Sequence, residues 1–77
     1  MMINIISQKG IVYSGTIRSV TVPGVEGELT ILPHHIPLIT ILKQGKIRIY
    51  DEKGQERVFE ITKGILEVRP EEVTVLI

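Results

Sequence analysis

The 77-residue sequence has no cysteine and no tryptophan, and its aromatic rings are limited to Tyr13, Tyr50 and Phe59. Without cysteine there are no disulfides and no thiolate metal sites, which are the usual reinforcement of small folds, so stability has to come from apolar packing or from a partner. A cytosolic setting fits that composition. So few aromatics make a poor platform for stacking bases. Nine basic and nine acidic side chains cancel to a formal charge of zero, which argues against a nucleic-acid binder or a polybasic membrane anchor. No apolar run approaches the roughly 20 residues of a membrane helix. Met1 to Ile6 has neither a basic leader nor a long apolar segment and does not read as a signal peptide. A glycine-rich loop followed by Lys-Ser or Lys-Thr is missing, as is a nucleophile elbow around Ser7, Ser14 or Ser19, so triphosphate and triad chemistry have no motif to rest on.

What is present is alternation. Lys46-Ile47-Arg48-Ile49-Tyr50, Leu66-Glu67-Val68-Arg69 and Val73-Thr74-Val75 each repeat at period two, the pattern of a half-buried strand, and no segment carries a helical stripe. Strands are expected at Ile3 to Ser7, Ile11 to Val22 with a break near Ser14-Gly15, Glu28 to Leu32, Pro37 to Leu42, Lys46 to Asp51, Glu56 to Thr62, Gly64 to Arg69 and Val73 to Ile77. Asp51-Glu52-Lys53-Gly54 reads as a hairpin turn with a left-handed glycine, Gln8-Lys9-Gly10 as a shorter one, and Pro70-Glu71-Glu72 as a tight turn. Closely spaced short strands with turn signals between them predict an all-β fold, an antiparallel sandwich or flattened barrel. No linker or repeat interrupts it, so residues 1 to 77 are expected to form a single domain.

Glu26 to Gln44 departs from this pattern, with Gly27, Pro33 and Pro37 shaping the backbone around His34 and His35. Imidazoles and a carboxylate suit a metal, which makes His34, His35 and Glu28 candidate ligands. Adjacent residues in extended backbone point to opposite faces, however, and solvent-facing histidines are the stronger reading, so neither metal nor cofactor is expected. Glu26 and Glu28 flank Gly27 as an acid and base pair would, but exposed carboxylates usually serve only to keep a turn solvated. Glu52, Lys53, Glu56 and Arg57 read as a solvated hairpin tip.

The run Val25-Glu26-Gly27-Glu28-Leu29-Thr30-Ile31-Leu32-Pro33-His34-His35-Ile36-Pro37-Leu38-Ile39-Thr40, followed by Gly45 and Ile47-Arg48-Ile49, resembles the epsilon subunit of bacterial rotary ATP synthase. The resemblance continues through Gly64-Ile65-Leu66-Glu67-Val68 and Val73-Thr74-Val75-Leu76, covering nearly the whole chain. It implies the N-terminal domain of that subunit, a flattened antiparallel β-sandwich of about ten short strands. The ten would be reached by splitting Ile11 to Val22 and the Pro33 to Pro37 region at bulges. The implied function is mechanical and non-catalytic. The domain would couple proton or sodium flow to ATP synthesis from the central stalk, binding the gamma subunit and the rotor-ring c subunits at the cytoplasmic face of the membrane. Glu28 and His35 match the family's ring-contacting residues, with Gly27, Pro33 and Pro37 shaping the loop, and outward apolar residues would meet gamma. The alternative is a free-standing β-sandwich module holding a small ligand or metal at the His34-His35 loop.

Thr30 and His34 stand where that family commonly has glycine, so either the positive φ is not needed there or His34 adopts it. The family domain is normally followed by a two-helix hairpin that inhibits ATP hydrolysis and in some members binds ATP. Ile77 is the last residue here, and no role of the hairpin is carried over.

Overall fold

The computed structural model describes residues 1–77. Its strands are β1 (Met2–Ser7), β2 (Gly10–Gly24), β3 (Gly27–Ile31), β4 (Leu38–Leu42), β5 (Gly45–Asp51), β6 (Glu56–Ile61), β7 (Gly64–Val68) and β8 (Glu72–Leu76). The expected boundaries hold to within one or two residues, and the fold is all strand.

Two layers share β2. Its first half pairs with β1 from Met2↔Thr16 to Ser7↔Gly10. Its second half lies between β3, from Val20↔Ile31 to Gly24↔Gly27, and β5, from Ile17↔Asp51 to Thr21↔Arg48. One layer therefore runs β6-β5-β2-β3 and the other β4-β7-β8-β1-β2. A single pairing, Gly24↔Leu42, closes the corner between β2 and β4. Principal extents of 27 × 25 × 18 Å give the flattened sandwich.

Three details differ from expectation. The strand count is eight, not about ten, because β2 runs unbroken through Ser14-Gly15 and the Pro33 to Pro37 region contains no strand. Bulges take the place of breaks, since the register slips by one residue at Val12 against β1 and at Arg18 against β5. The extra residue bends β2 from one layer into the other and rephases its alternation, which is why Ile17 and Val20, three apart, are both buried. The sandwich is also not wholly antiparallel, since β1 and β8 pair in parallel from Met2↔Glu72 to Ile6↔Leu76.

Ile3, Ile5, Ile17, Val20, Val22, Ile31, Leu42, Ile47, Ile49, Ile61, Leu66, Val68, Val73 and Val75 form one buried apolar cluster, with no buried polar side chain among them. β-branched residues dominate it, as suits a pleated, packed surface. Tyr13 and Phe59 pack against this core with ring centroids 5.7 Å apart, and Arg57 lies 5.5 Å over the Tyr13 ring. That cluster ties β2 to β6 where no backbone pairing joins them.

Candidate functional site

The β2–β3 hairpin is shaped by two glycines acting for different reasons. A Cβ on Gly24 would sit 2.7 Å from the carbonyl oxygen of Gly27, whereas Gly27 itself has φ of 134°, a region L side chains avoid. Val25 and Glu26 fill the exposed tip, and Glu28 stands opposite Pro23 one step beyond it. The Glu28 carboxylate is exposed and makes neither an ion pair nor a hydrogen bond within the chain, whose ion pairs are Arg48–Glu56 and Arg69–Glu67.

The segment after β3 closes as a turn. Leu32 carbonyl accepts the His35 N–H at 3.2 Å, Pro33 fixes the second position, and His34 takes φ of 69° at the third. These are the marks of a type II turn, which requires positive φ after its proline and so ordinarily selects glycine there. His34 thus adopts the left-handed backbone that its unusual residue type left open, whereas Thr30 needs none of it. Thr30 lies in regular β3 pairing opposite Thr21, their hydroxyl oxygens 2.9 Å apart.

The turn separates the two imidazoles. His34 is exposed, while His35 is half-buried with Nδ1 2.7 Å from the Ile36 carbonyl oxygen. No three His, Asp or Glu side chains come together as a metal-ligand set, so the structure does not assemble His34, His35 and Glu28. Glu28 and His35 are also apart, since Glu28 lies near the hairpin end of β3 and His35 beyond its other end. Glu26 and Glu28 remain in solvent, as a turn's carboxylates do.

The two outer faces contrast. On the β6-β5-β2-β3 layer the outward groups are mostly polar around the exposed Val58: Arg48 pairs with Glu56 at 3.5 Å, and the Tyr50 hydroxyl donates to the same carboxylate at 2.9 Å. The hydrogen bond to Glu56 and then its negative charge raise the Tyr50 pKa above the ordinary phenol value.

On the other layer, register builds an apolar row. Ile41 lies opposite Ile65, Ile65 opposite Leu76, Leu76 beside Ile6, and Ile6 opposite Ile11. Exposures of 60% for Ile41, 46% for Ile65, 48% for Leu76 and 69% for Ile11 leave the row open to solvent, with Ile6 half-buried within it. Ile41, Ile65, Leu76 and Ile77 line a shallow depression there, with Lys63 at its rim. The neighbouring row turns polar, with Ser14 donating to Asn4 at 2.7 Å and Asn4 to Glu72 at 3.1 Å. Alternation alone did not single this row out. The signal for it was in Leu38-Ile39-Thr40-Ile41-Leu42, which is apolar at both parities, as strands covered on two faces are. Leu42 is buried, and Ile39 and Ile41 point out.

No helix is long and apolar enough to cross a membrane. Two ATP synthase epsilon chains are similar over most of this sequence. That of Alkalilimnicola ehrlichii is 42% identical over 74 residues, 96% of this chain and 53% of the relative. That of Psychrobacter arcticus is 47% identical over 72 residues, 94% of this chain and 52% of the relative. The chain thus spans about half the length of these relatives, at 53% and 52%. Among solved structures, a chain in the cryo-EM structure of Euglena gracilis mitochondrial ATP synthase superposes with a TM-score of 0.93 at 19% identity, covering 99% of this chain and 49% of that one. A chain of the Tetrahymena thermophila mitochondrial ATP synthase central stalk and c-ring has a TM-score of 0.77 at 18% identity, covering 100% of this chain and 63% of that one. At such identities these two likenesses establish the fold. Residues 1–77 match in full the family described as ATP synthase, delta/epsilon chain, beta-sandwich domain, and the chain belongs to that family.

Proposed function

We propose that the chain acts as a non-catalytic central-stalk subunit of an ion-translocating ATP synthase, peripheral to the membrane at its cytoplasmic face. In this reading residues 1–77 work as one β-sandwich unit with two contacts. The outer face of β4-β7-β8-β1-β2 docks on the gamma subunit, and Glu28 and His35 meet the rotor-ring c subunits.

The observation that carries the reading is the apolar row Ile41–Ile65–Leu76–Ile6–Ile11, continuous across one outer face and absent from the other. A contiguous exposed apolar strip on a small domain marks an interaction surface. Covering an exposed isoleucine fully is worth about 1.5–3 kcal/mol, so the row supplies most of the docking energy. The ring contacts contribute less, because exposed polar pairs yield only about 0–1 kcal/mol each. Torque therefore passes by shape and stiffness, to which the Pro33 turn, Pro37 and the β-branched Ile31 contribute.

Co-elution tests the reading. Mixed with purified gamma subunit, the chain is expected to elute from size exclusion as a one-to-one complex. Separate elution of the two proteins at micromolar concentration would contradict it.

A further inference from the structure

We propose that the ring-facing loop recognises an N–H donor, accepted by the free Nε2 of His35. This rests on the reading that His35 meets the rotor ring, and it states what chemistry that contact requires.

A carbonyl oxygen only accepts, so the 2.7 Å contact between His35 Nδ1 and the Ile36 carbonyl oxygen needs its proton on Nδ1. A neutral imidazole carries one N–H, and fixing it on Nδ1 leaves Nε2 as a bare lone pair. No other group in the chain bonds to the ring, so this acceptor is unused. The ring is held in place rather than left to rotate freely. The residue is half-buried, its backbone N–H donates to the Leu32 carbonyl, and Pro33 and Pro37 restrict the backbone on either side. Leu32 and Ile36 flank it with exposures of 56% and 78%, an apolar rim that sheds water when a partner seats. Glu28, the other expected contact, also offers acceptors only, and it has no partner within the chain.

Both contact residues therefore present lone pairs, and the complementary rotor-ring loop supplies N–H groups, from a guanidinium, an ammonium or an amide. A loop presenting carboxylates would face lone pair against lone pair at Glu28, and at His35 wherever its ring is neutral.

The test uses His35 variants that keep one ring nitrogen's chemistry at a time, bound with gamma subunit to purified rotor ring. His35→Gln places a carbonyl oxygen near the Nε2 position, whereas His35→Asn reaches only the Nδ1 position. The expected result is His35→Gln within about twofold of the parent, with His35→Asn and His35→Ala each weakened by about fivefold, the loss of one partly exposed hydrogen bond. Affinity for gamma alone should be unchanged in all three, which excludes gamma as the source of the donor. If His35→Gln falls as far as His35→Ala, the contact stands but the acceptor role is overturned. If His35→Ala binds the ring as the parent does, the ring contact itself fails and this inference fails with it. Nitrogen-15 NMR of the free chain, above the ordinary imidazole titration range, reads the tautomer independently of any ring. A proton found on Nε2 instead of Nδ1 overturns the inference directly.

Discussion

Ile41 of β4 and Ile65 of β7 stand directly opposite one another on the outside of the sandwich, in a register that places both side chains in solvent. In an isolated domain that pair contributes little, whereas the inward residues of neighbouring strands carry the fold. Ile65→Thr is expected to change stability by no more than about 1 kcal/mol, and Ile47→Ala, at a fully buried position, to cost about 2–5 kcal/mol. Urea denaturation of the two variants measures the difference, and comparable losses would mean that the outer row is structural.

His34 holds a left-handed backbone without being glycine. Relieving that conformation outweighs the added freedom of the unfolded chain, so His34→Gly should stabilise by about 0.5 kcal/mol. His34→Val, β-branched at the same φ, should destabilise by about 1–2 kcal/mol. Unfolding midpoints decide the signs, and a stabilising valine would show that the turn relaxes out of type II.

Tyr50 provides a pH-dependent prediction. Its folded pKa is raised by the hydrogen bond to Glu56, so its contribution to stability is fully present below the ordinary phenol range near 10 and is lost as pH rises through the higher folded value. Ultraviolet titration should show Tyr50 ionising later than a free tyrosine, and Glu56→Gln should lower its pKa. Because the pair is exposed, little stability rides on it.

Glu28 has no intramolecular partner, so Glu28→Ala should leave stability within about 0.5 kcal/mol of the parent. Attachment to the rotor ring in the presence of gamma should nonetheless weaken. Ring affinity equal to the parent's would remove Glu28 from the contact.

Much of the fold was legible in the sequence because period-two alternation reports burial one residue at a time. Lys46 to Tyr50 and Val73 to Val75 are strands with one buried and one wetter face, as their alternation predicts. The turn chemistry was equally local, and Gly54 takes the positive φ its hairpin demands. Missed features depend on distant partners. Bulges within Ile11 to Val22 were expected, but no residue type announces their positions at Val12 and Arg18. Gly15 suggested a break, yet it lies inside β2, where a Cβ would meet the Tyr13 hydroxyl oxygen at 3.2 Å. The parallel pairing of β1 with β8 joins the two ends of the chain, and nothing in either strand's period encodes it. At the candidate site, Gly27 and the prolines were readable as backbone constraints. The His35 Nδ1 contact with the Ile36 carbonyl and the apolar row required register and side-chain geometry.

The most direct test of the account is titration calorimetry of gamma subunit with the chain and with its Ile41→Asp, Ile65→Asp double variant. The parent should form a one-to-one complex, with the negative heat-capacity change of apolar burial. The double variant should bind at least about a hundredfold more weakly, corresponding to loss of about 3 kcal/mol of apolar contact, while keeping the strand circular dichroism of the parent. Equal affinity for parent and folded double variant would contradict the claim that this face docks on the stalk.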